Sequence, residues 1–256
     1  MKVLRYIWWL PLVVYMIVMP SFISDKVYTR NCRRVEIVIK DSLKNRFVTP
    51  GGLFSMVQND HEQVLGKPIS GIDLDAIEKE LKQIKELESA EVFYTVDGVL
   101  HVEARQRDPV MRIISSYGNS YYIDNEGVII PHTGVYTPRV IIVSGSISVP
   151  DEFISRGAIN IPDDNIISQL FELIRELNAS ELWSGQFEQV WVTEKGDIEL
   201  IPRVGNQLVK LGSPEKVHER LQNLEAFYLG MIDEVGWNKY SEINLMFEGQ
   251  IVCKKR

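Results

Sequence analysis

The run from Tyr6 to Phe22, YIWWLPLVVYMIVMPSF, carries no charged side chain and constrains this chain more than any other segment. At ~1.5 Å of rise per helical residue it reaches about 26 Å, enough to cross a hydrocarbon core. Tyr6, Trp8 and Trp9 crowd one end, where amphipathic rings prefer the membrane interface. Pro11 predicts a kink of the kind that lipid-embedded helices tolerate. The competing reading is a cleaved signal peptide. Its small-x-small cleavage site is missing, because Ser24 has Phe22 two places before it, and no lipobox precedes Cys32. The segment therefore predicts an uncleaved anchor. Lys2 and Arg5 precede it, whereas Lys26, Arg30, Arg33 and Arg34 follow. A strict count of positive charges keeps the large domain inside, yet a stub this short is compatible with translocation of a long domain, so charge alone leaves the sidedness open.

Beyond the anchor the patterning alternates between strand and helix. Val35, Ile37 and Ile39 recur at period two and predict a strand. Thr49-Pro50 marks a helix start, with Thr as N-cap and Pro in the first turn, and the helix runs to about Asn59. A stronger helix starts behind Asp73, with Leu74, Ile77, Leu81 and Ile84 on one apolar face and Glu78 four residues before Lys82 on the wet side. Glu91 to Val96, the turn Asp97-Gly98 and Val99 to Arg105 then read as a hairpin. The order is strand, helix, helix, strand, strand, and Asp108-Pro109 interrupts it as a domain boundary.

The remainder predicts short strands with two helices. A turn at Asn125-Glu126-Gly127 divides Tyr121 to Ile130, and Val140 to Val143 is a compact strand. Asp163 or Asp164 caps a helix whose face is Ile167, Leu170, Ile174 and Leu177. Strands follow at Glu188 to Thr193, Asp197 to Pro202 and Gln207 to Leu211. A second helix begins at Ser213-Pro214 and runs towards Tyr228. Strands at Glu242 to Phe247 and Gln250 to Cys253 come last.

Lys and Arg total 28 against 35 Asp and Glu, a formal charge of -7, which lacks the basic field that phosphate backbones require. Cys32 and Cys253 are two cysteines with no C-x-x-C or Cys/His neighbour, so neither a disulfide framework nor a zinc site is expected. Whether they bridge each other is open. The four histidines, His61, His101, His132 and His218, lack paired ligand spacing. Neither a phosphate-binding glycine loop nor a dinucleotide fingerprint is present, and no cofactor is expected. The sharpest catalytic reading is Ser213-Pro214-Glu215-Lys216, an S-x-x-K like that of penicillin-binding enzymes, with Tyr117-Gly118-Asn119 and His132-Thr133-Gly134 as companion boxes. The order defeats it, since in those enzymes the Ser box comes first. Ser213 reads better as an N-cap with Pro214 in the first turn, and the chain is expected not to be an enzyme.

Several motifs resemble one family in order and spacing. Gly71-Ile72-Asp73-Leu74-x-x-Ile77-x-x-x-Leu81, Ser89-Ala90-Glu91-Val92 and Val102-Glu103-Ala104-Arg105-x-Arg107-x-Pro109 are similar to the POTRA helix, strand and closing segment of the bacterial cell-division FtsQ/DivIB family. Tyr122-Ile123-Asp124-x-x-Gly127-Val128-Ile129, Pro138 with Val143-Ser144-Gly145, and Val209-Lys210-Leu211-Gly212 resemble that family's β domain. Ile243-Asn244-Leu245-Met246-Phe247 sits where the family often has I-D-L-R-Y; Met111 replaces a usual Ala, Asn244 an Asp and Met246 an Arg.

The resemblance implies an α+β fold with a single N-terminal transmembrane helix. A short cytoplasmic stub and this helix would occupy 1–28, a β-α-α-β-β POTRA-like domain 29–109, and a mixed β-sheet domain with two helices 110–256. It implies a bacterial inner-membrane protein with its N-terminus in the cytoplasm and its large domain in the periplasm, concentrated at the division septum. The function implied is a scaffold that recruits and links division proteins. The partners implied are membrane-anchored coiled-coil division proteins that dock by strand addition near the C-terminus, besides the bilayer around the helix. In that reading Phe247 is the aromatic anchor. Gln250, Ile251, Val252 and Cys253 supply backbone bonds and alternating side-chain contacts, and Lys254 with Lys255 and Arg256 attracts an acidic segment. The alternative is an envelope-assembly chaperone, since POTRA-like modules also occur in outer-membrane insertion machinery; it would call for a C-terminal barrel or further POTRA repeats.

Overall fold

The computed structural model describes residues 12–16, 18, 30–41, 44–59, 63–159, 165–232 and 236–256. The expected anchor at Tyr6–Phe22 lies mostly outside them. Leu12 to Met16 and Val18 are described, and they are helical and exposed. Among the described residues no helix is long and apolar enough to cross a membrane. The chain divides into two compact units, Met1–Arg107 and Asp108–Arg256.

The first unit contains β1 (Arg34–Ile39), α1 (Pro50–Asn59), a 3-10 turn at Ile69–Gly71, α2 (Leu74–Leu81), β2 (Leu87–Tyr94) and β3 (Val99–Gln106). This is the strand, helix, helix, strand, strand order that the patterning predicts. Both helix starts are capped as their sequences suggest. Thr49 Oγ1 accepts the Gly52 N–H at 3.1 Å, and an Asp73 carboxylate oxygen accepts that of Ala76 at 2.9 Å. β3 is central, parallel to β1 and antiparallel to β2. Leu53, Val57, Ile77 and Leu81 close one face over Ile39, Ala90, Val92, Leu100 and Val102. Burying each large aliphatic side chain contributes roughly 1.5–3 kcal/mol, so this small core carries the unit. β2 starts at Leu87, ahead of the expected Glu91. A bulge between Leu87 and Ser89 shifts the alternation and hides the strand's first turn of pleat from a period-two reading.

The second unit contains β4 (Pro109–Ile114), β5 (Ser120–Asp124), β6 (Ile129–Pro131), β7 (Ile141–Gly145), α3 (Asp151–Arg156) and α4 (Ile166–Ala179). There follow β8 (Phe187–Val192), β9 (Ile198–Pro202), β10 (Leu208–Gly212), a 3-10 turn at Pro214–Lys216, α5 (Val217–Phe227), β11 (Tyr240–Asn244) and β12 (Val252–Lys255). All nine strands form one mixed sheet in the order β12-β11-β10-β9-β8-β7-β4-β5-β6. From α4, Ile167, Leu170, Ile174 and Leu177, and from α5, Leu221 and Leu224, join Met111, Ile113, Val143, Val190, Leu200, Val209 and Leu211 in one core. One face of the sheet is thereby helix-covered, and alternation turns residues such as Arg112, Trp191 and Lys210 to the other face.

Several expectations need correction here. Among its described residues the unit has three α-helices rather than two. In α3 only Phe153 is buried among charged Asp151, Glu152 and Arg156, so a six-residue helix shows no readable apolar stripe. The cap of α4 is Asn165, whose side chain accepts the Ile167 N–H at 2.8 Å; Asp163 and Asp164 lie outside the described residues. Ser213 makes no side-chain cap bond; it precedes the 3-10 turn, and α5 begins at Val217. Pro109 needs no such correction: next to the division between the two units it opens β4, at a strand's first position, where a missing N–H is tolerated. The last two strands are shifted relative to expectation. β11 ends at Asn244, whose side chain turns back to accept the Met246 N–H at 3.0 Å, and β12 starts two residues later than Gln250.

Candidate functional site

The two ends of the large sheet are finished differently. At β6 the edge is closed: Val128 bridges to Ala158, Ile129 donates to Gly157 O at 2.9 Å, and Pro131 has no N–H to offer. At the other end β12 pairs with β11 alone, through Asn244 with Val252, Ile243 with Cys253, Glu242 with Lys254 and Tyr240 with Lys255. Arg256 N–H donates to Lys239 O at 3.3 Å and Ser241 Oγ donates to Lys254 O at 3.2 Å, so these two backbones face inward. Strand alternation then turns the amide groups of Cys253 and Lys255 outward.

Side chains divide across this edge as the register requires. Ile251 and Cys253 sit half-buried against the core on the helix-covered side. Val252, 44% exposed, and Lys254 lie on the open face, in register with Asn244 and Glu242. Glu242 is already paired with Lys210 at 3.0 Å, and among the described residues Lys254 forms no ion pair. Gln250 is exposed in the loop before the strand, and Phe247 is 49% exposed within it. Of the residues the sequence singles out, Ile251 to Lys254 come together on one free edge, while Phe247 and Gln250 stand in the loop that leads to it.

The loop is held from beneath by residues that sequence reasoning missed. Lys216 at the end of the 3-10 turn forms an ion pair with Glu248. Arg220 donates to the carbonyl oxygens of Leu211 and Ser213, tying α5 to the end of β10. Gly212 has a φ of +78°, and a Cβ there would lie 2.9 Å from both Arg220 Nη1 and Met246 Cγ. The absent side chain is what lets Arg220 and the Met246 loop approach each other. Arg220 had no signal in the sequence; Lys216 had one, but as part of the S-x-x-K reading.

A family model described as FtsQ/DivIB, C-terminal related, matches residues 108–254, more than half of the chain. A model of the POTRA-like domain matches residues 30–105. The chain belongs to the FtsQ/DivIB family. No curated protein matches it. FtsQ/DivIB and POTRA-like domains are non-catalytic scaffolds, and the family's role is in cell division.

Local pairing and burial set the electrostatics around this loop and strand of the FtsQ/DivIB chain. The bond from Lys216 holds the Glu248 carboxyl below the usual carboxylate range, and Glu248 in turn raises the Lys216 ammonium. A lysine kept protonated in this way is the opposite of what activating Ser213 would need. Burial pushes the thiols of Cys253 and Cys32 up, and both are free. Among the described residues no cluster of three or more His, Cys, Asp or Glu is placed to hold a metal.

Proposed function

We propose that this FtsQ/DivIB chain is a single-pass divisome scaffold whose β12 edge takes a strand from a membrane-anchored coiled-coil division protein. In this reading Tyr6–Phe22 is the transmembrane helix behind a short cytoplasmic stub, residues 29–109 and 110–256 are periplasmic, and the protein concentrates at the septum. What supports the reading is the outer edge of β12, whose unpaired backbone is the template that strand addition uses. An added strand would continue the two-sided pattern of β12. Its inward positions would extend the apolar seam of Ile251 and Cys253, and its open-face positions would meet Val252 and Lys254, which favours an acidic residue there. Phe247 would be covered at the rim of the contact.

The experiment is depletion with a fluorescent copy followed by microscopy, combined with a photo-crosslinking residue in place of Lys254, exposed on β12. Filaments with unfinished septa, a mid-cell band before depletion and a crosslink to a membrane-anchored coiled-coil protein are the expected results. Ile251→Pro, which removes an N–H beside the edge, should abolish the crosslink while the thermal melt of the purified chain survives. Normal division, or crosslinking that the proline leaves intact, would overturn the reading.

A further inference from the structure

Three guanidinium groups meet on the open face of the second unit's sheet without a matching set of carboxylates. Arg112 stands on β4, Arg139 in the loop before β7 and Arg203 directly after β9; with Glu188, Val140 and Ile142 they line a depression of about 450 Å³. Arg112 is fixed in place, its Nε donating to Ser120 Oγ at 2.8 Å and its guanidinium lying 5.5 Å from the centre of the Tyr122 ring. Arg139 and Arg203 are exposed, and among the described residues neither their side chains nor that of Glu188 form an ion pair or a hydrogen bond. In a chain of net charge -7, three arginines around one depression are a local reversal of sign. Guanidinium groups recognise carboxylates and phosphates through paired N–H donors, so the depression suits an anion.

Its other walls narrow the choice. Val140 and Ile142 give it an apolar floor that an inorganic phosphate has no use for. Glu188 adds a carboxylate that can accept backbone N–H groups from an extended peptide, donors that a phosphate does not offer. We propose that this depression binds a short acidic peptide segment of a protein partner, its carboxylates on Arg139 and Arg203 and an aliphatic side chain on Ile142. The site lies apart from β12 and does not depend on strand addition there.

The test is fluorescence polarisation with the purified full chain and a labelled, end-capped Glu-Leu-Glu-Leu-Glu peptide, its Gln-Leu-Gln-Leu-Gln counterpart serving as the neutral control. The acidic peptide should bind, more weakly as salt rises, and the neutral one should bind at least about tenfold less well. Arg139→Ala with Arg203→Ala should weaken the acidic peptide by about tenfold or more, without moving the thermal melt, because both side chains are exposed. Ile251→Pro should leave this binding unchanged. Three results would overturn the proposal: peptide binding indifferent to the arginines, peptide binding lost in Ile251→Pro, or displacement of the peptide by inorganic phosphate or by phosphatidylglycerol vesicles.

Discussion

Lys216 and Glu248, 32 residues apart in the chain, form the ion pair that fastens the loop between β11 and β12 to the start of α5. The folded carboxyl is depressed, so its contribution is complete above the unfolded carboxylate range and is lost as pH falls through the folded value. Acidification should therefore lower the protection of the β12 amides, measured as exchange relative to the intrinsic rate at each pH. Lys216→Ala should show the lowered protection already at neutral pH. Hydrogen-exchange mass spectrometry of both proteins across this range checks it, and superimposable profiles would dismiss the fastening.

Phe247 offers a half-exposed ring that the fold itself does not need. Phe247→Ala should lower affinity for the docking partner by about tenfold or more, the scale of an aromatic anchor at an interface. Stability to urea should change by no more than about 0.5 kcal/mol, as expected of a surface substitution. A large loss of stability with unchanged binding would reverse these roles.

Cys253 reports directly on the edge. Its thiol is raised by burial, so little thiolate is present at neutral pH and maleimide labelling should be slow, accelerating above the ordinary thiol range. A docked strand should slow labelling further at every pH. Cys32, 2% exposed in the first unit, serves as the internal control whose rate docking leaves alone.

Gly212→Ala tests the support beneath the loop. A positive φ costs a residue with a side chain roughly 1–2 kcal/mol, and the new Cβ must also displace Arg220 or Met246. A destabilisation of about 1–3 kcal/mol in urea is expected, together with weaker partner binding. Destabilisation with partner binding left intact would separate the loop from the edge.

Local patterns made much of the first unit readable. Its helices carry capping residues and apolar stripes, and its hairpin is marked by Asp97-Gly98, with Gly98 at a φ of +86°. Features with no local cost were hidden. The bulge at Leu87 to Ser89 offsets the period, and α3 is too short to show a face. Strand order is hidden for a deeper reason: β7 lies between β4 and β8, and pairing of strands remote in sequence leaves no periodic trace. The segment Phe247 to Lys254 stood out through resemblance to a family, while its support could not. Lys216 finds Glu248, and Arg220 finds the carbonyls of Leu211 and Ser213, only after the chain has folded.

The closed edge at β6 has a consequence for stoichiometry. With Val128 bridged to Ala158 at one end, strand addition of the proposed kind would, among the described residues, lengthen the sheet past β12 alone. A strand added there brings an outer edge of its own, so a second guest would pair with the first guest and not with the host. Each copy of this chain would then seed one ordered row of partners, and the length of that row would be limited by whichever guest arrives with its own edge blocked.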